Sequence, residues 1–295
     1  MRTIYALALL VALAGCRAAP PGEVRDDLGR AVALEAVPEA VVPLAPNLTE
    51  LVAVAAGTDR LAGVALADDF PPAIDGLPRF QSFPLDAEAV VALQPDLVLG
   101  STDVTPTDQA DRLGGLGLPT YLFQFDEVAD VPRALRTLDT LLASTAGAEA
   151  ALAFESRTEA VARAVRTFRP PRTLLLVGSG EGILYAFGEA SYASEMVRLA
   201  GGDNLTDVYD GAAAQPSVEA VLEMAPEVVI VASEGTDAEA LVADHPALFS
   251  IPAVTQGRVY GVDPDLVLRP GPRIADGLER IARLLHPEAF AAGAA

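Results

Sequence analysis

Asp86-Ala87-Glu88, followed by Leu93-Gln94-Pro95-Asp96-Leu97-Val98-Leu99, recurs at the same spacing as Ser217-Val218-Glu219 followed by Met224-Ala225-Pro226-Glu227-Val228-Val229-Ile230. Asp86 and Ser217 are residue types that cap helix N-termini, because a side-chain oxygen accepts from an otherwise unbonded backbone N–H. Glu88 and Glu219 fall in the first turn, where the positive helix end favours a carboxylate. Pro95 and Pro226 cannot continue a helix. An acid and a short apolar run follow each, as for a buried strand. One helix–proline–acid–strand unit in each half of the chain predicts two similar lobes.

The flanking sequence extends both halves. Before the first unit, Ala40-Val41-Val42-Pro43-Leu44 reads as a strand. Asn47 reads as the cap of the next helix, with Glu50 as its capping-box partner and Leu48, Leu51, Val52 and Ala55 as its apolar face. Further strands are expected at 61–66 and 118–123. In the second half, Thr173-Leu174-Leu175-Leu176-Val177 reads as a strand and 191–200 as a helix closed by Gly201-Gly202. A late strand is expected at 258–262. The last helix places Ile274, Leu278, Ile281 and Leu285 on one side. Helices alternating with short apolar strands predict an α/β fold with two Rossmann-like lobes and parallel sheets covered on both faces.

Between the halves, residues 148–168 contain neither Gly nor Pro. Val161, Val165 and Phe168 share one stripe at helical spacing, and Glu155, Arg157, Glu159, Arg163 and Arg166 occupy the other faces. About 21 residues at 1.5 Å per residue give a helix of ~30 Å, roughly the width of one lobe. The expected organisation is a leader at 1–16, a tether at 17–25, an N-terminal lobe at 26–145, a rigid interdomain helix at 146–169 and a C-terminal lobe at 170–295.

The first residues are a leader rather than a membrane span. Arg2 is followed by an apolar run from Ile4 to Ala14, too short for a bilayer core that needs about 20 residues. The run ends in Leu13-Ala14-Gly15-Cys16, which resembles the bacterial lipobox. That resemblance implies acylation of Cys16 and an exported protein lipid-anchored to the cell envelope, on its periplasmic or extracellular face. Cys16 is the only cysteine, so no disulfide can form within the processed chain. The formal charge is −21, and every basic residue is Arg. Such a surface repels nucleic acid and anionic lipid, favours a soluble monomer and suits a basic partner.

In this order, several segments resemble the periplasmic binding proteins with a helical backbone, the group serving vitamin B12, iron-siderophore and haem importers. They are Pro46-Asn47-Leu48-Thr49-Glu50-Leu51, Asp59-Arg60-Leu61-Ala62-Gly63-Val64, the two repeated units, Gly201-Gly202-Asp203-Asn204, Gly257-Arg258-Val259-Tyr260 and Arg269-Pro270-Gly271-Pro272-Arg273-Ile274. The resemblance implies a receptor that binds a bulky metal chelate between its lobes and docks on an ABC permease served by an ATPase. It places Glu88 and Glu219 as the two permease-docking carboxylates, facing basic residues of the permease. Exposed pairs of this kind set orientation and on-rate more than affinity.

The same resemblance nominates ligand-binding residues. Phe70, in Asp68-Asp69-Phe70-Pro71-Pro72, would offer an aromatic face from the first lobe, and Tyr185 and Phe187 another from the second. Asp265 and Arg269 would be a polar pair for a corrinoid's edge; Arg can donate to amide carbonyls and Asp can accept from amide N–H groups. Asn47 and Phe83 complete the set. The corrinoid, cobalamin-like reading leads. A ferric siderophore or haem is the alternative; Tyr185, Tyr192 or Tyr209 would be the iron ligands for haem, because His245 and His286 do not look cleft-facing. No resident cofactor or protein-bound metal is expected, since His/Cys/Asp clusters at zinc spacing are absent. An enzyme is not expected. Gly178-Ser179-Gly180-Glu181-Gly182 follows a strand, but Ile183 breaks the dinucleotide pattern and there is no Lys for a phosphate loop. A sensor or adhesion protein reusing the fold is the reading from another class.

Overall fold

A computed structural model describes residues 22–177, 183–233, 240 and 243–291. The leader, Cys16 and Gly178–Gly182 lie outside the described residues. The expected tether ends early, because Gly22–Arg25 is a strand (β1) paired antiparallel with Ala31–Leu34 (β2).

In the first lobe, Val41–Pro43 (β3), Leu97–Ser101 (β6) and Thr120–Phe123 (β7) form a parallel sheet in the order β3-β6-β7. Val64–Ala65 (β4) and Arg79–Phe80 (β5) form a separate parallel pair. The three sheet strands are buried along their whole length, as parallel strands covered on both faces must be. Their cover is Pro46–Ala56 (α1) and Asp130–Leu142 (α4) on one side, with Ala87–Ala92 (α2) and Thr107–Gly115 (α3) on the other. The second lobe centres on Arg172–Val177 (β8), with Val228–Ala232 (β12), Val259–Val262 (β13) and Asp203–Asn204 (β10) parallel to it in one sheet. Tyr185–Phe187 (β9) runs antiparallel to β8, and Ala213–Ala214 (β11) antiparallel to β9.

The repeated units have the same local structure in both lobes. Asp86 Oδ1 accepts from Ala89 N at 3.0 Å to start α2, and Ser217 Oγ from Ala220 N at 3.1 Å to start Val218–Met224 (α7). The residue before each proline has positive φ, 50° at Gln94 and 42° at Ala225. Neither residue is Gly, so both chain reversals carry a steric cost that the surrounding packing must offset. The acid after each proline then fixes the neighbouring parallel strand. Asp96 Oδ2 accepts from Glu39 N and Ala40 N, both at 3.0 Å, and Glu227 Oε2 from Arg172 N at 2.9 Å.

The connecting helix is Ala146–Val165 (α5), 20 residues long. Its first turn is capped from α4, where the Asp139 carboxylate accepts from Gly147 N at 2.8 Å and Ala148 N at 2.7 Å. Ala151, Phe154, Val161 and Val165 bury one stripe of it in an apolar cluster that also holds α1, α4, Tyr192–Leu199 (α6) and the Ile274–Leu285 helix. Phe168 lies beyond the helix end, against the buried ring of His286 with centroids 5.4 Å apart. Ion pairs tie α5 to both sides, Arg136 to Glu155 at 2.7 Å and Arg157 to Asp276 at 2.5 Å. A core that runs unbroken through the strut resists large rotation of one lobe against the other.

Candidate functional site

The carboxyl ends of the two sheets converge, which is where open α/β sheets place ligand sites. A cavity of about 440 Å³ lies there. From the first lobe it takes Asp103, just past β6, and Phe125 and Asp126, just past β7. From the second lobe come Tyr185 and Phe187 on β9 and Tyr192 at the start of α6. A second cavity, of about 470 Å³, shares Asp126, Ala190, Ser191 and Ala212 with the first, so the two form one elongated cleft.

Tyr192 is held by its helix start, where Ser191 Oγ accepts from Ala193 N at 3.2 Å. The side chain is only 7% exposed. Burial raises its pKa and the charge of Asp103 raises it further, so the phenol stays protonated. Asp103 remains open to solvent, yet the cleft wall desolvates its carboxyl and raises its pKa; a hydrogen bond from Ser101, at 3.3 Å, offsets this in part, and Asp126 adds to the rise.

Beside the cavity, next to Leu268 on its wall, an ion network joins the lobes. Arg269 pairs with Asp69 across the cleft at 2.5 Å and with Asp265 on its own lobe at 2.9 Å. Arg273 donates to both carboxylate oxygens of Glu50, at 2.9 and 2.7 Å, and to Asp265 at 3.3 Å. Phe70 lies under this network, its ring centroid 4.5 Å from the Arg273 guanidinium carbon. Glu50 is 3% exposed; burial raises its carboxyl pKa and the Arg273 pairing offsets that only in part. Asp69 shifts the other way, because its hydrogen bond from Arg269 outweighs its burial. The Phe70 loop is anchored from below by buried Asp68, whose Oδ2 accepts from Thr49 Oγ1 at 2.6 Å and Ala65 N at 3.0 Å. Arg79 braces the same loop by donating to Asp68 O at 2.6 Å.

These positions correct part of the sequence reading. Tyr185 and Phe187 do line the cavity. Asp265 and Arg269 pair with each other, and Arg269 also pairs with Asp69, so that they form a lock between the lobes. Asn47 is neither a cap nor open to the cleft: Ala45 occupies the cap position, Pro46 opens the helix, and buried Asn47 donates to Pro270 O at 3.2 Å. Glu50 has Arg273 as its partner, so no capping box forms. Phe83 is 85% exposed and not part of the cavity wall. Asp103, Phe125 and Asp126 were missed; they stand in loops after strands, and only the rule that strand ends face the ligand points to them. His286 bonds Gly201 O at 3.0 Å and belongs to the base of the second lobe.

Glu88 and Glu219 occupy matching first turns of α2 and α7, both exposed and without a cation partner among the described residues. The backbone N–H of Glu219 and the Ser217 hydroxyl hold its carboxyl below the usual range. Among the described residues no helix is long and apolar enough to cross a membrane, and no group of three or more His, Cys, Asp or Glu is arranged to hold a metal ion.

The chain is similar to known proteins along most of its length. It is 25% identical to an uncharacterised ABC transporter substrate-binding lipoprotein, YvrC of Bacillus subtilis, over 92% of this chain and 87% of that one. The crystal structure of the periplasmic vitamin B12-binding protein BtuF of Vibrio cholerae superposes with a TM-score of 0.74 at 25% identity, covering 86% of this chain and 99% of that one. A periplasmic haem-binding protein from Pseudomonas aeruginosa gives a TM-score of 0.75 at 28% identity, covering 85% and 93%. The family model described as periplasmic binding protein matches residues 41–266, from β3 to the loop that carries the interlobe lock. With two lobes, a strut and a cleft between strand ends, the chain belongs to the periplasmic binding protein family, whose members are the solute receptors of ABC importers and not enzymes.

Proposed function

We propose that this receptor captures a corrinoid, a cobalamin-like chelate, in the interlobe cleft and delivers it to an ABC permease and its ATPase. The observation that carries the reading is the aromatic lining of the cavity: partly exposed Tyr185 and Phe187 with Tyr192 from one lobe, and the buried Phe125 from the other. A corrin is a broad apolar ring edged by amides. Aromatic faces can pack on the ring, while the Asp103 and Asp126 carboxylates and the Tyr192 hydroxyl can bond the amides. Cobalamin binding by the Vibrio cholerae protein of the same fold supports the reading.

The test uses the ligand's own colour. Cyanocobalamin absorbance is titrated with the purified receptor, then with Tyr185→Ala and Phe187→Ala. Each aromatic contact contributes about 0.5–1.5 kcal/mol beyond its burial, so each variant is expected to weaken binding roughly tenfold. Unchanged affinity in both would remove the cavity as the site. Haem is the second reading, favoured by the hydroxyls of Tyr185 and Tyr192 on the cavity wall. It requires haemin to bind more tightly than cyanocobalamin and to lose its iron–phenolate spectrum in a Tyr→Phe variant.

The remaining parts of the proposal concern place and partner. Cys16 carries the lipid that holds the receptor to the envelope, so Cys16→Ser is expected to release the protein from membranes. Retention after a salt wash would contradict this. Glu88 and Glu219 form a two-point key for basic residues of the permease, one carboxylate for each lobe.

A further inference from the structure

The unpaired charges of the cleft are of one sign. Among the described residues three guanidinium groups lie on its wall or rim, and all are engaged. Arg269 is paired with Asp69 and Asp265, Arg273 with Glu50 and Asp265, and Arg198 with Asp207 at 2.8 Å. Residues 178–182 and 234–239 contain no Arg, and the chain has no Lys. The carboxylates that line the cavity are not neutralised in the same way. Among the described residues Asp103 is met only by the Ser101 hydroxyl and Asp126 only by the Gln124 amide, at 2.5 Å. Glu127 and Glu189 stand on the wall of the second cavity without an ion pair among the described residues. Tyr192, a largely buried residue on the cavity wall, adds a hydroxyl for which no hydrogen bond is found among the described residues.

An anionic ligand entering this cleft meets carboxylates with no free guanidinium among the described residues to offset them. Freeing Arg273 for the ligand would strand the buried Glu50 without a partner, which costs more than the new contact returns, and Arg269 is held by two carboxylates at once, Asp69 and Asp265. A ligand rich in N–H donors, with net charge of zero or above, meets acceptors already in place. We propose that the cleft selects neutral and cationic chelates and excludes anionic ones, with Asp103 and Asp126 as the residues that set this preference. The inference rests on the receptor reading above but not on the choice of a corrinoid.

Two ladders of nearly constant shape test it by calorimetry on the whole processed receptor. The corrinoid ladder is aquacyanocobinamide (cationic), dicyanocobinamide (neutral) and dicyanocobyrinic acid, whose ring edge carries carboxylates in place of amides. The ferric hydroxamate ladder is ferrioxamine B (cationic), its N-acetyl derivative (neutral) and its N-succinyl derivative (anionic). Within whichever ladder binds, the cationic or neutral member is expected to bind at least about tenfold more tightly than the anionic one. Asp103→Asn with Asp126→Asn is expected to shrink that ratio severalfold. Both residues are open to solvent, so the double variant is expected to melt as the parent does; Asp103→Ser alone, with a smaller shrinkage, is the back-up if it does not. Equal binding of the anionic member overturns the inference. So does a ratio that survives in the variants, a preference for dianionic haem over both ladders, or no binding by any probe. If the hydroxamates bind in the expected charge order and the corrinoids do not, the inference stands and the corrinoid reading falls.

Discussion

Arg273 makes the more deeply buried of the two ion pairs from the 269–273 segment to the first lobe. It comes from the second lobe and holds both oxygens of Glu50, a carboxylate buried in the first helix of the other lobe. Its own pKa is raised by that bond, so it stays charged under all working conditions. Truncation by Arg273→Ala leaves Glu50 buried without a cation and is expected to cost about 3 kcal/mol in denaturant unfolding at neutral pH. Glu50 already lies above the usual range with its partner present. In the variant its folded pKa rises further, while the unfolded value stays near about 4.3. The deficit therefore shrinks as pH falls towards the unfolded value and grows as pH rises through the folded one. A deficit independent of pH would show that the pair is not what Arg273 supplies. Asp69 gives the opposite sign. Arg269 lowers its folded pKa, so its contribution is present above about pH 3.9 and disappears as pH falls through the lower folded value.

At the level of elements, the strut is only as firm as its start. Asp139 caps α5 from the neighbouring helix, and Asp139→Ala is expected to cost about 1 kcal/mol of stability, read as a shift of the denaturant midpoint. No shift would place the cap's role elsewhere. The repeated units were legible in sequence down to their capping residues, because local chemistry decides them. Proline ends each helix, and the following acid has a backbone partner one strand away. The start of α1 was misread for a related reason: Asn47 and Glu50 fit a capping box, but Pro46 opens that helix and both side chains are claimed by the other lobe. Sequence spacing carries no information about partners more than two hundred residues away. The helix α4 went unread although Val131, Leu135, Leu138 and Leu142 mark its buried face. Pro132 in its first turn imitates a breaker, whereas that position lacks an intrahelical N–H partner in any case.

For the whole molecule, function follows from two lobes that move little. The core passes through α5 without a break, so ligand capture works in a cleft that is largely formed in advance and not by wide closure. Glu88 and Glu219 stand in matching positions on the two lobes, away from the cavity lining. The double change Glu88→Ala with Glu219→Ala is expected to abolish uptake in cells while ligand affinity stays unchanged. Normal uptake would remove the docking role. The pairing of aromatic faces across the cleft was half legible. Tyr185 and Phe187 follow from resemblance, but Phe125, Asp103 and Asp126 reach the cavity only because two sheets end opposite one another. The polar pair Asp265 and Arg269 was legible as a pair, but not the bond from Arg269 to Asp69 that ties it to the other lobe.

The measurement that tests the central claim most directly is a calorimetric titration of the processed, soluble chain with cyanocobalamin. One-to-one binding with Kd below about 1 µM, some 8 kcal/mol, is the expected result. Absence of binding, with tight binding of haemin or of a ferric siderophore to the same preparation, would contradict the corrinoid assignment and leave the receptor fold in place.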